Sequence, residues 1–150
     1  MSAPAPRPAF DLRILDWHAA REGARAVREA VFIVEQHVPR ELEWDEWDEP
    51  SVHALACDET GRAIGTARLL PDGHLGRMAV LAAWRRQGVG MALANALIAR
   101  ASERGDAEIV LHAQTHAVGF YRKLGFTPRG PEFDEAGIPH VEMARRLPSR

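Results

Sequence analysis

The stretch Arg85-Arg86-Gln87-Gly88-Val89-Gly90 decides the reading of this chain. It follows an apolar run, Met78-Ala79-Val80-Leu81, and it opens a helical pattern over 89–104. The order is therefore strand, glycine-containing turn, helix. The first N–H groups of a helix have no internal partner, and the helix dipole adds positive potential beside them. A turn of this kind is suited to phosphate groups. Gly88 and Gly90 let the backbone approach a ligand with no Cβ in the way. Arg85 or Arg86 can add charge-assisted hydrogen bonds. The competing reading is a turn that needs two glycines for its geometry alone.

The 150 residues suffice for one domain with a real core. Residues 10–150 are expected to form it, after a disordered Pro/Ala-rich extension at 1–9 that lacks the apolar core of a signal peptide. A net charge of -2 argues against general nucleic-acid binding, which needs a basic face. No apolar stretch is long enough to cross a bilayer, so no membrane role is expected. The single cysteine, Cys57, allows no internal disulfide and fits a reducing, cytoplasmic setting. It lies in an apolar run, where a buried structural thiol is expected.

Outward from the turn, the pattern is mixed. Residues 10–17 alternate as a strand with Phe10, Leu12 and Ile14 on one face. A helix follows over about 18–36, with Ala20, Ala24, Val27, Val31 and Phe32 near a 3.6 period, and Pro39 ending it. Residues 51–57, 63–70 and 74–80 read as three strands joined by turns at 58–61 and 71–73, an antiparallel meander running into the Arg85 turn. After the helix over 89–104, Gly105 is a C-cap. A strand over 108–113, a helix over 114–124 capped by Gly125, and extended structure at 126–129 come next. Residues 131–139 read as a long hairpin loop and 140–147 as a final strand. Between the first helix and the meander lies Glu41-Leu42-Glu43-Trp44-Asp45-Glu46-Trp47-Asp48-Glu49-Pro50, where seven of ten residues are acidic or proline. It is either a solvated loop or an acidic, aromatic-edged rim for a cationic substrate.

Two segments together resemble the GNAT superfamily of N-acetyltransferases. Arg85-Arg86-Gln87-Gly88-Val89-Gly90 looks like that family's pyrophosphate turn. About thirty residues on, Phe120-Tyr121-Arg122-Lys123-Leu124-Gly125-Phe126 looks like its second signature. The acidic Trp-rich segment and Gly137-Ile138-Pro139-His140-Val141-Glu142-Met143 are similar to a small bacterial branch called ElaA-like. The resemblance implies an α/β (α+β) fold with a mixed, mostly antiparallel sheet of about six or seven strands, splayed at a cofactor cleft, with about four flanking helices. It implies acetyl-CoA as co-substrate and no metal. By resemblance, backbone groups of Met78, Ala79 and Val80 pair with the pantetheine arm. The N–H groups from Arg86 through Gln87, Gly88, Val89 and Gly90 to Met91 hold the pyrophosphate, helped by Arg85. Gln114 touches the pantetheine, Phe120 packs beside the cofactor, and Tyr121 is the general acid.

The chemistry supports that role for Tyr121. Attack of an amine on a thioester expels a thiolate, and a phenol can donate a hydrogen bond or proton to the leaving sulfur. Tyr121 is the chain's only tyrosine. The other reading is an amphipathic core tyrosine. The amine must be neutral to attack, so a base is wanted; Glu35, Glu41, Glu43, Asp45, Glu46, His112 and His140 are all open. His18, His37, His53, His74 and His116 show no metal-site spacing. The expected function is an acetyl-CoA-dependent N-acetyltransferase that acts directly on a primary amine, a small molecule rather than a protein, with a cationic one suiting the acidic rim. The alternative is a non-catalytic acyl-CoA-binding regulator of the same fold. A P-loop or dinucleotide module is disfavoured, because G-x-x-x-x-G-K-[ST] is missing and a meander precedes the turn. Oligomeric state is left open, with a homodimer as the guess.

Overall fold

A computed structural model describes residues 9–43 and 45–148, the side chains of Leu42 and Glu43 excepted. The expected extension at 1–9 therefore lies almost wholly outside the described residues. The elements are β1 (Phe10–Leu15), α1 (Trp17–Arg28), a π-helical segment (Glu29–Glu35), α2 (Arg40–Glu43), β2 (Val52–Asp58), β3 (Ala63–Leu69), β4 (His74–Val80), α3 (Val89–Arg104), β5 (Glu108–Gln114), α4 (Val118–Lys123), β6 (Thr127–Pro128), β7 (Phe133–Glu135) and β8 (Ile138–Arg146). Short 3₁₀ turns, Ala82–Trp84 and Thr115–Ala117, precede α3 and α4.

The strands form one eight-stranded sheet in the order β1-β2-β3-β4-β5-β8-β6, with β7 also on β8. Every described pairing is antiparallel except β4 with β5. That parallel pair holds only at His74↔Val110 and Leu75↔Leu111. Beyond Leu75 the two strands part and leave a wedge. Near the fork, Arg77 has φ +47° and the β3–β4 register shifts between Thr66 and Arg68. This bulge re-aims the end of β4.

The main core lies between the sheet and α3, where Leu69, Leu75, Leu93, Leu97, Ile109, Leu111, Phe126 and Met143 are buried. On the other face α1 packs Ala24 against Leu55 and Cys57. Asp16 caps α1 by accepting from the Ala19 N–H at 2.9 Å. A Cβ at Gly23 would sit 3.0 Å from both Leu55 and Ala63, so α1 approaches the sheet closely because position 23 has no side chain.

Three expectations change. The helix over 18–36 is not uniform: after Arg28 its bonding widens into the π segment, and the chain leaves the helix before Pro39, with His37 at φ +61°. Residues 131–139 are not one loop. They contain β7 and a tight turn in which Ala136 and Gly137 both have positive φ, and β8 begins at Ile138 rather than His140. On β1, Leu12 and Ile14 are exposed, because β1 is an edge strand anchored at its two ends, by Phe10 edge-on to Trp84 and by Leu15 against the Ala24–Leu55–Cys57 cluster.

Candidate active site

The wedge between β4 and β5 opens into a cleft of about 1100 Å³. The turn predicted from sequence stands at its mouth. Gly88 takes φ +86° as the residue before α3, a conformation that favours glycine. The Ala92 N–H is bonded to the Gly88 carbonyl, so the amides of Val89, Gly90 and Met91 fall in the first turn, whose donors lack an intrahelical partner. A Cβ on Gly90 would lie 3.4 Å from Phe120 Cζ and 3.9 Å from Met78 Sδ, inside the cleft.

Met78, Ala79, Val80, Arg85, Arg86, Gly88, Val89, Gly90, Met91, Gln114 and Phe120 all line this space. Gln87 does not. Its Nε2 donates to the Ala83 carbonyl, and its Oε1 is buried without a partner. Arg85 lines the cleft with its charge engaged: Nε donates to the Val80 carbonyl, and both terminal nitrogens donate to Glu35 at 2.7 Å. That hydrogen bond holds the Glu35 carboxyl below the usual range despite some burial. Glu35 is thus an ionised partner of Arg85.

Tyr121 projects from α4 into the cleft, between Phe120 and Phe126, whose rings it meets edge-on. Its hydroxyl points at Met78 Sδ, 3.9 Å away on β4. Burial pushes its pKa up to about 12, so the phenol stays protonated throughout the physiological range.

The acidic segment divides. Asp48 is buried and binds Arg28 at 2.7 Å and Arg68 at 3.1 Å. Asp45 lines the cleft, bound by Arg68 and Arg77. Burial works against its ionisation, but the hydrogen bond and charge of Arg68 and the charge of Arg77 outweigh it and lower its pKa. Glu41 and Glu46 are exposed and do not line the cleft. The side chain of Glu43 lies outside those described. Asp45 and Asp48 are thus stapled internally onto arginines, while Glu41, Glu46 and Glu49 face solvent and Trp47 is exposed at the cleft edge.

His112 and His140 do meet in the cleft, through a residue the sequence did not mark. Glu135 on β7 places Oε1 3.1 Å from His112 Nδ1 and Oε2 3.5 Å from His140 Nε2. Nearby, Gln114 Nε2 donates to Gln36 Oε1 at 2.9 Å, tying β5 to the end of the π segment. Glu135 was hidden because 131–139 read as a loop; its proximity to two histidines depends on the β7–β8 hairpin. Gln36 carries no motif either.

The GNAT acetyltransferase domain matches residues 18–147. This chain belongs to the GNAT acetyltransferase family. Both quoted segments and all eight strands except β1 fall within that match. Among relatives, the N-acetyltransferase YjcF of Bacillus subtilis, itself uncharacterised, is 41% identical over 123 residues, covering 79% of this chain and 87% of YjcF. ElaA of Escherichia coli is 31% identical over 129 residues, 81% of this chain and 84% of its own. The crystal structure of E. coli ElaA superposes with a TM-score of 0.82 at 28% identity, covering 91% of this chain and 99% of that one. An acyl-CoA N-acyltransferase from Pseudomonas aeruginosa gives 0.81 at 28%, with the same coverage. The likeness to ElaA read from the acidic segment and the 137–143 stretch is thus found in both sequence and structure. Among the described residues of this GNAT chain, no helix is long and apolar enough to cross a membrane.

Proposed function

We propose that this protein moves an acetyl group from acetyl-CoA to a primary amine by direct attack, with Tyr121 as general acid. The position of the Tyr121 hydroxyl carries the reading. It is the cleft's only phenol, and it already faces a sulfur on β4, the strand along which the thioester arm would lie.

The residues fit such a co-substrate. Amides at the start of α3, beside glycines 88 and 90, suit a diphosphate. The parted edges of β4 and β5 offer backbone groups to an amide-containing arm from Met78 to Val80 and at Gln114, and Phe120 gives it an apolar wall. Cys57 is buried beneath α1 and does not line the cleft, which favours direct transfer over an acyl-cysteine. A buried, neutral thiol also suits a cytoplasmic setting; burial pushes its pKa up.

The amine nitrogen attacks the thioester carbonyl carbon, the C–S bond breaks, and its electron pair goes to sulfur. Tyr121 donates to that sulfur as charge builds. A phenol at about 12 is a weaker acid than a thiol in water, near 8.5. The same burial raises the thiol's own pKa, which narrows the gap. Tyr121 regains its proton from the surplus on the new amide nitrogen, through solvent. The partners are acetyl-CoA and a small amine. With Asp45 and Asp48 held by arginines, Glu135 is the cleft carboxylate that faces histidines instead.

A free-thiol assay with acetyl-CoA and a panel of primary amines tests this. Thiol release that depends on an amine, with the matching acetylamide by mass spectrometry, is expected. Bound acetyl-CoA with no release for any amine would show a binding protein instead.

A further inference from the structure

We infer that His140 is the general base that takes the proton from an alkylammonium acceptor, with Glu135 as the carboxylate that seats it. This rests on the amine-acetylating reading above. His140 is 6% exposed, and its ring lines the cleft. Its Nδ1 lies 2.6 Å from the Ile138 carbonyl. A carbonyl oxygen only accepts, so Nδ1 carries the ring proton and donates. In the neutral ring Nε2 then holds a lone pair, and it faces Glu135 Oε2 at 3.5 Å. Two acceptors facing each other call for a proton donor between or beside them. The other carboxylate oxygen is steadied by His112 Nδ1 at 3.1 Å, so Glu135 is held in place. Phe133 stacks on the His140 ring and fixes its plane.

A primary ammonium supplies what the pair lacks. One N–H donates to Glu135, and another gives its proton to His140 Nε2. The nitrogen lone pair that this frees attacks the thioester carbon. His140 sits directly across the β5–β8 ladder from Gln114, three residues past the last β4–β5 pair and so on the parted stretch of β5. This puts it on the same side of the sheet as the proposed pantetheine contact. Phe32 and Trp47 line the same cleft, which suits an amine with an apolar body. After transfer, the imidazolium proton leaves to solvent, the thiol keeps the proton from Tyr121, and one proton is released per turnover.

The charged groups around His140 are Glu135 on β7, His112 on β5 with His74 on β4 edge-on to it, and Glu142 on β8, itself bound by Arg129. None of these has an N–H aimed at Nε2 among the described contacts.

The test uses the full chain, acetyl-CoA, and two acceptors: 2-phenylethylamine and its much less basic 2,2-difluoro analogue. CoA affinity by calorimetry is measured in parallel. His140→Gln should lower kcat/KM for phenylethylamine by about a hundredfold and replace the acidic limb of its pH profile by a rise that continues up to the amine's own ionisation. For the difluoro amine, which is already neutral, the loss should be under about tenfold, because the base is bypassed. Glu135→Gln, at a half-exposed side chain, should raise KM for phenylethylamine more than it lowers kcat. CoA affinity should stay unchanged in both variants. Equal losses on both amines would mark a merely structural histidine and overturn the inference, as would wild-type rates with an intact acidic limb. Wild-type protein that binds acetyl-CoA, acetylates other amines and ignores both probes would overturn the acceptor class. A wild-type chain that acetylates no amine at all fails the reading above instead.

Discussion

Tyr121 concentrates the residue-scale argument. Its ring is packed between Phe120 and Phe126, so Tyr121→Phe should fold and keep its affinity for CoA. Its kcat should fall by about a hundredfold or more, the usual worth of a positioned acid. Steady-state rates beside calorimetry check both halves. The raised pKa also has a stability consequence. The unfolded phenol ionises near 10 and the folded one near 12. Below pH 10 the contribution is fully present. Between 10 and 12 the unfolded chain gives up the proton and the folded one does not, so stability falls as pH rises. Denaturant melts of the wild type should show that decline, and Tyr121→Phe should lack this part of it. The sequence made Tyr121 legible because it is a lone tyrosine inside a recognisable segment. It could not mark Glu135, whose meaning comes from two histidines on other strands.

At the scale of elements, two ion pairs join segments far apart in the chain. Asp48, near the end of the acidic run, closes on Arg28 of α1 and Arg68 of β3, both nearly inaccessible. Asp48→Ala would remove the carboxylate these two guanidinium groups share, leaving Arg68 on Asp45 and Arg28 over the Trp17 ring in a dry site. Breaking such a pair costs about 3–5 kcal/mol, and thermal melts should show Tm lower by about 10 °C. The Glu35–Arg85 pair ties the π segment to the phosphate-type turn and is more exposed. It places a carboxylate near the expected diphosphate and occupies Arg85. Glu35→Gln should therefore tighten CoA binding by about two- to fivefold, as titration calorimetry would show; weaker binding would give Glu35 a different role. Most elements were legible from period and punctuation: β2, β3, β4, α3 and β5 fall within a residue or so of the pattern. The π segment was not, because its side chains keep a helical spacing. Nor was β7, a three-residue strand between Pro131 and Pro139 that is held by β8 rather than by its own propensity. Each reading of the acidic run holds in part, with Glu41, Glu46 and Glu49 solvated and Asp45 and Trp47 at the cleft, but charge counted along the chain does not reveal the arginines folded against Asp45 and Asp48.

For the whole molecule, a parted pair of strands is the feature that matters. The sheet is continuous except between β4 and β5, where two paired residues give way to a cleft. The two faces of the sheet supply different things there. α3 and α4 bring amides and the phenol, while the π segment and the β7–β8 hairpin bring Gln36, Glu135 and His140. A ligand that bridges the split should stabilise the fold. At about a hundred times its Kd it adds about 2.7 kcal/mol, and Tm should rise by about 5–10 °C for a chain of this size. The most direct measurement is a calorimetric titration of the pure protein with CoA and, separately, with pantetheine, which lacks the diphosphate. Saturable binding of one CoA per chain is predicted, at least about tenfold tighter than pantetheine and weakened by salt. No heat of binding with CoA, or equal affinity for the two, would contradict a diphosphate held at the start of α3.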